Sequence, residues 1–180
     1  WLSTNVGLAA VSADDSIETF TVRHGLQADE FNSGAHLATR DGYLAFGGLE
    51  GFNFFHPDAI ERSDFVPPVV LTSVRKSDSP LLTDTPIDRL QSLRLGHQDR
   101  VVSFEVSALD FTSPVDNRVA YQLVGFDPEM RLLDGEGRMT YTNLDAGQYV
   151  LHVRAANPDG QWNDQGLRLP VEVRPAPWKT

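Results

Sequence analysis

The side chains with most chemistry to offer are three tyrosines, Tyr121, Tyr141 and Tyr149. Aromatic faces stack on sugar rings and phenolic hydroxyls hydrogen-bond to them, so three together could form a carbohydrate platform. Tyr121 and Tyr149 fall on the apolar faces of alternating segments, where packing in a core is the ordinary role. The histidines, His24, His36, His56, His97 and His152, include no pair at close metal-ligand spacing. They read as surface or hydrogen-bonded groups, and His152 as an exposed one. Asp134-Gly135-Glu136-Gly137 and Asn157-Pro158-Asp159-Gly160 look like pieces of calcium loops but lack the alternating ligands and closing Glu of an EF-hand, so they read as turns. The Gly47-Gly48…Gly51 cluster is not followed by a helix, which argues against a phosphate cradle. There is no Gly-x-Ser-x-Gly elbow, no cysteine and no His-Glu-x-x-His. The expectation is a non-catalytic chain with no cofactor and no metal. Carboxylates are abundant, and sequence alone does not place a glycosidase pair among them.

The element that must position the tyrosines runs from Met139 to Asn157. From Gln148 the residues alternate: Tyr149, Leu151, Val153 and Ala155 face one way, and Val150, His152 and Arg154 the other. Period two over such a run predicts a strand with one buried face. Leu144-Asp145-Ala146-Gly147 before it is a corner, with Gly147 free to adopt a positive φ. Leu, Gly and then Tyr at a strand start is the pattern of a tyrosine corner, in which the hydroxyl bonds back to upstream backbone. Asn157 to Gly160 turns the chain again, and Trp162 after it is expected to lid the end of the sandwich.

Other strands follow from the same alternation. Val101 to Ala108, Arg118 to Val124 and Leu167 to Val173 each carry an apolar face. Pro170 cannot donate to a neighbour, so its strand is expected at an edge. Residues 76–91 read as a loop or irregular hairpin. Short strands also punctuate residues 1–60, with Asp41-Gly42 a hairpin signal and Asn32-Ser33-Gly34 a loop. His56-Pro57 and Pro67-Pro68 break the pattern and stiffen the connection. The predicted class is all-β: an immunoglobulin- or fibronectin-III-like sandwich over 69–180, a linker over 63–68, and a remnant of β-propeller blades over 1–62.

The net charge is −10, and it is uneven. Residues 1–66 hold three arginines against ten acidic groups, and residues 67–180 hold twelve basic against fifteen acidic. Neither part has the basic footprint of nucleic-acid binding, and an anionic membrane surface would repel both. No apolar run approaches the roughly 18 residues of a membrane span. The start at Trp1 reads as a piece cut from a longer protein.

Residues 101–180 resemble the three-tyrosine (Y_Y_Y) domain of bacterial two-component regulators. The words that carry this are Ser103-Phe104-Glu105, Ala108-Leu109-Asp110-Phe111, Tyr121 to Asp127, Tyr141-Thr-Asn-Leu, Gly147-Gln-Tyr149, Ala155 to Gly160 with Trp162, and Pro175 to Thr180. Residues 1–60 resemble the end of a two-component regulator propeller, through Trp1 to Leu8, Gly25-Leu26 with Glu30-Phe31-Asn32, and Asp41-Gly42-Tyr43 with Phe46 to Asn53. Met130 departs from the family, which usually has a Trp there; Met fills the same gap less rigidly.

The resemblance implies Tyr121, Tyr141, Tyr149, Gly147, Asn157 and Trp162 as structural signature residues. It implies a periplasmic sensor region with propellers before it, a membrane helix after it, and a histidine kinase or diguanylate cyclase beyond. In that family the ligands are often glycan fragments. Relaying a signal to paired helices requires a homodimer, expected through the sandwich. In a soluble setting the same sandwich would instead be an accessory binding or spacer domain of a secreted glycan-active enzyme. Trp178 would then lie at a membrane surface only in the first case.

Overall fold

The computed structural model describes residues 1–112, 114–134 and 137–176. Trp178, Ser113 and the middle of the Asp134 to Gly137 turn lie outside the described residues. The chain divides into two units, Trp1–Arg62 and Ser63–Thr180.

The first unit holds two three-stranded antiparallel meanders. One is β1 (Leu2–Thr4), β2 (Gly7–Val11) and β3 (Ile17–Phe20); the other is β4 (Phe31–Ala38), β5 (Leu44–Gly48) and β6 (Gly51–Phe55). Gly7 begins β2 at φ 114°, and a Cβ there would meet Phe20 O at 1.9 Å, so only glycine fits. β4 starts earlier than expected and takes in Asn32-Ser33-Gly34. Its register with β5 shifts between Phe31 and His36, so these polar residues form an irregular stretch within the strand. The unit's core is small: Leu8, Phe31 and Phe46 are buried, with Trp1, Phe20 and Phe55 packed on them. Trp1 lies 5.2 Å from Phe20 and 5.1 Å from Phe55 between ring centroids.

Among its described residues the second unit has nine strands: β7 (Val69–Lys76), β8 (Ser79–Pro80), β9 (Leu93–Leu95), β10 (Val101–Ala108), β11 (Arg118–Val124), β12 (Arg131–Leu132), β13 (Arg138–Thr142), β14 (Gly147–Ala156) and β15 (Leu167–Val173). They form two sheets, in the orders β13-β10-β7-β8 and β12-β11-β14-β15-β9. Phe104 and Val102 of the first sheet and Leu123, Leu151 and Leu169 of the second are essentially inaccessible and belong to one core. This is the expected all-β arrangement, a sandwich preceded by open, blade-like sheets. The alternation that begins at Tyr149 describes β14 well, because Leu151, Val153 and Ala155 are each fully buried. Residues 144–146 carry the chain from β13 in one sheet to β14 in the other. The irregular hairpin after β7 has Ser77 and Asp78 at φ 47° and 65° and pairs Arg75 with Pro80.

β15 corrects the edge-strand expectation. It lies between β14 and β9, with β9 running parallel to it over Val171 to Val173. Pro170 lies just outside that pairing, which begins at Val171, so the parallel ladder asks no N–H of it. Residues 63–68, set apart as a linker by the sequence, are hydrogen-bonded within the second unit: Leu109 N–H donates to Pro68 O at 2.8 Å.

Candidate functional site

Tyr141, on β13, is 3% exposed. Its hydroxyl donates to Asp127 Oδ2 at 2.6 Å, and the same oxygen accepts from Leu123 N–H at 2.7 Å. Asp127 Oδ1 accepts from Arg131 Nη2 at 2.7 Å. The Arg131 guanidinium in turn lies 5.2 Å over the Tyr121 ring. Asp127 is thus a buried carboxylate whose two oxygens take three donors, which is how a buried charge becomes tolerable. Burial first, and the Asp127 carboxylate second, push the Tyr141 phenol far above its ordinary value. Such a phenol donates a hydrogen bond and does not exchange a proton near neutrality. The cluster fixes the turn between β11 and β12 to β13, across the two sheets.

Tyr149 O–H donates to Asp145 O at 3.0 Å, the backward bond of a tyrosine corner, and its ring packs on the core. Gly147 lies directly against that ring, with a Cβ position 3.6 Å from the hydroxyl. The tyrosines therefore do not make an open platform. Tyr141 is enclosed, and Tyr121 and Tyr149 are half-buried against the core.

Asn157 is completely buried. Its Oδ1 accepts from Gln161 N–H at 2.8 Å, and its Nδ2 donates to Ser63 O at 2.8 Å. Trp162 does not lid the end of the sandwich. It bridges to Ala156 and lies beside Ala120 on the outer face of the five-stranded sheet, with Arg154 at 5.1 Å and Arg118 at 5.9 Å from its ring. Those guanidinium contacts hold it there. A shallow cleft of about 250 Å³ opens between Trp162, Ala120, Met130 and Leu132, beside the residue where the family usually has Trp.

His152 is half-buried, not exposed as expected; Arg154 and Arg168 crowd the same outer face. Burial first, then Arg168 and Arg154, hold its pKa below the ordinary imidazole value. His24 Nδ1 accepts from Thr21 N–H and His56 Nδ1 from Asp58 N–H, both as turn caps. Among the described residues no group of three or more His, Asp or Glu side chains could hold a metal ion. From sequence, Asp127 stands out only as the end of the Tyr121 stretch, and Arg131 and Asn163 do not stand out. The visible signal was an acid four residues before an arginine inside an apolar stretch.

Residues 110–174 match the model of the Y_Y_Y domain, and all three tyrosines lie inside the match. It is this stretch, about a third of the chain, that matches the Y_Y_Y family. The whole chain is 28% identical over 189 residues to Histidine kinase P4 of Formosa agariphila, of which it covers 14%. Two solved structures from B. thetaiotaomicron share the fold. The extracellular domain of a protein described as a hybrid two-component system has a TM-score of 0.77 at 24% identity, covering 96% of this chain and 24% of that one. The extracellular domain of a protein described as a one-component system has a TM-score of 0.55 at 26% identity, covering 99% and 24%. The chain therefore spans under a quarter of the length of each of these proteins. With the Y_Y_Y match, they bear out the resemblance read from the residues.

Proposed function

We propose that this chain is the extracytoplasmic sensing and transmitting part of a membrane-bound two-component receptor. The observation that carries the reading is that the entire chain aligns with one segment of a histidine kinase, while its fold is that of extracellular domains. The buried carboxylate and tyrosine of the sandwich are tied into its own framework. Its role is to carry a rearrangement from a ligand-binding propeller to a following membrane helix and a cytoplasmic kinase. Transmission of that kind needs a homodimer, because ligand can bias only an equilibrium between two arrangements that it binds unequally. The family resemblance favours a glycan fragment as the ligand of the parent protein.

The first unit supports the parent architecture. Leu37, Phe52 and Phe54 are 60%, 70% and 54% exposed. β4, β5 and β6 align Leu37 with Ala45 and Ala45 with Phe54, so these side chains share the face opposite the small core. An exposed aromatic face on a sheet whose other face is already packed is one that a further sheet of the propeller covers. Reading the parent gene past the codon for Thr180 tests the proposal. A span of about 20 apolar residues followed by a kinase supports it. A second soluble secreted domain there sinks it in favour of the accessory-module reading. Given the span, full-length protein in proteoliposomes should change its autophosphorylation rate with a panel of oligosaccharides.

A further inference from the structure

The segment 63–67 is the first stretch of the second unit, and three side chains of the β14–β15 loop hold it. Asp159 Oδ2 accepts from Ser63 N–H at 2.8 Å, and Asn157 Nδ2 donates to Ser63 O at 2.8 Å, so both backbone polar groups of Ser63 are taken. Four residues on, Asn163 Nδ2 donates to Pro67 O at 3.0 Å. The amide oxygens of the same asparagines face the other way, into their own loop. Asn157 Oδ1 accepts from Gln161 N–H, and Asn163 Oδ1 accepts from Gly166 N–H at 3.0 Å. Each asparagine is therefore a two-sided tie. One end folds the loop and the other grips the incoming chain. The loop itself is anchored to β14, through Asn163 N–H to Ala155 O at 2.8 Å, and leads directly into β15.

We propose that Asn157, Asp159 and Asn163 form a clamp that couples displacement of residues 63–67 to the β14–β15 loop and to β15. A pair of prolines, Pro67-Pro68, stiffens the segment at the far end of the grip. A segment held at two points 4 residues apart cannot swing without moving the loop that holds it. This inference deepens the relay reading above and rests on it for its consequence, though not for its geometry.

The side-chain chemistry supplies a clean test. N157D and N163D keep the oxygen that accepts from Gln161 or Gly166 and lose the N–H₂ that grips Ser63 or Pro67. The loop keeps its internal bonds while the grip is broken. D159A, at an exposed position, removes the third tie with little risk to folding. In the 180-residue chain, amide exchange of residues 161–173 is measured with and without a perturbed segment, made as P67G/P68G. With the clamp intact, the proline substitutions should raise exchange of the loop about tenfold, the scale of one lost buried hydrogen bond. In the N163D/D159A background they should add less than about twofold. Equal effects in both backgrounds overturn the clamp. Ligand-free autophosphorylation of the full-length protein in proteoliposomes is the second readout. A several-fold change with P67G/P68G that disappears in N163D/D159A supports the relay role. Coupled exchange with unchanged autophosphorylation overturns that role and leaves the receptor reading to its own test, the presence of the membrane span and kinase.

Discussion

The two units use similar strands in opposite ways. Every main strand of the sandwich has one face in a shared core, and Phe104, Leu123, Leu151 and Leu169 are each 0% exposed. In the first unit the buried apolar cluster is Leu8, Phe31 and Phe46, while Ile17, Leu37 and Phe52 stand 60% exposed or more. The sandwich buries the inner face of its main strands in its own core. The first unit leaves large apolar side chains exposed on the sheet face opposite its core. The same alternation can thus signal a finished core or an interface, and the difference is in what the opposite face carries: polar groups such as His152 and Arg154 on β14, but Leu37 and Phe54 on β4 and β6.

The largest expected effect separates these cases. Phe104→Ala should cost the sandwich about 3–5 kcal/mol, because a large ring leaves a cavity that a two-sheet core cannot close. Phe54→Ser should change the stability of this chain by no more than about 0.5 kcal/mol, as surface substitutions do. Urea unfolding followed by hydrogen exchange in each unit measures both. In the full-length protein the same Phe54→Ser should become severely destabilising. Equal small effects in both settings would show that nothing covers the aromatic face.

Next in size is Tyr141→Phe. It removes the donor at 2.6 Å from the buried Asp127 carboxylate and should cost about 1.5–3 kcal/mol, the range for hydrogen bonds to charged groups. The phenol adds a pH signature. Its folded pKa is raised above the ordinary 10.0, so the folded state holds the proton more tightly than the unfolded state. The stabilisation is complete below about pH 10 and is lost as pH rises above it, by up to about 1.4 kcal/mol per pH unit. Wild type should lose this advantage over Tyr141→Phe in strong alkali. A gap between the two that stays constant from pH 9 to 11.5 would count against the buried phenol.

Tyr149→Phe comes third, at about 0.5–1.5 kcal/mol, since its hydroxyl meets a neutral carbonyl at a more accessible site. An effect as large as that of Tyr141→Phe would dissolve the distinction between a corner fastened at the surface and a charge anchored in the core.

Much of this was legible because it is local. The Leu144 to Tyr149 corner, the period-two run of β14 and the Asn157 to Gly160 turn are each specified by neighbours in sequence, and Gly160 N–H does donate to Asn157 O at 3.0 Å. What escaped is set by distant partners. Asn163 and Ser63 lie in turn-forming polar stretches, and only folding brings each against a residue nearly a hundred positions away. Pro170 suggested an edge because one strand's composition does not reveal that three residues of β9 arrive in parallel beyond it. Trp162 suggested a lid because the sequence could not show Arg118 and Arg154 waiting on the outer face.

The smallest effect concerns that outer face. β11, β14 and β15 align Gln122, His152 and Arg168 in one row, with Arg154 on the strand beside His152. Burial of the imidazole disfavours its charged form, and the two guanidinium groups disfavour it further; only the Asp164 backbone acts the other way. The folded pKa is therefore below the unfolded 6.5, so the associated stability is present above pH 6.5 and declines as pH falls through it. An NMR titration of His152 should give a midpoint below 6.5, and Arg168→Gln should move it upward. A midpoint at or above 6.5 would mean that the outer face of the sandwich is solvated like an ordinary surface. A low midpoint that Arg168→Gln leaves unmoved would assign the shift to burial alone, and would make the cationic row incidental to a face that is closed by packing.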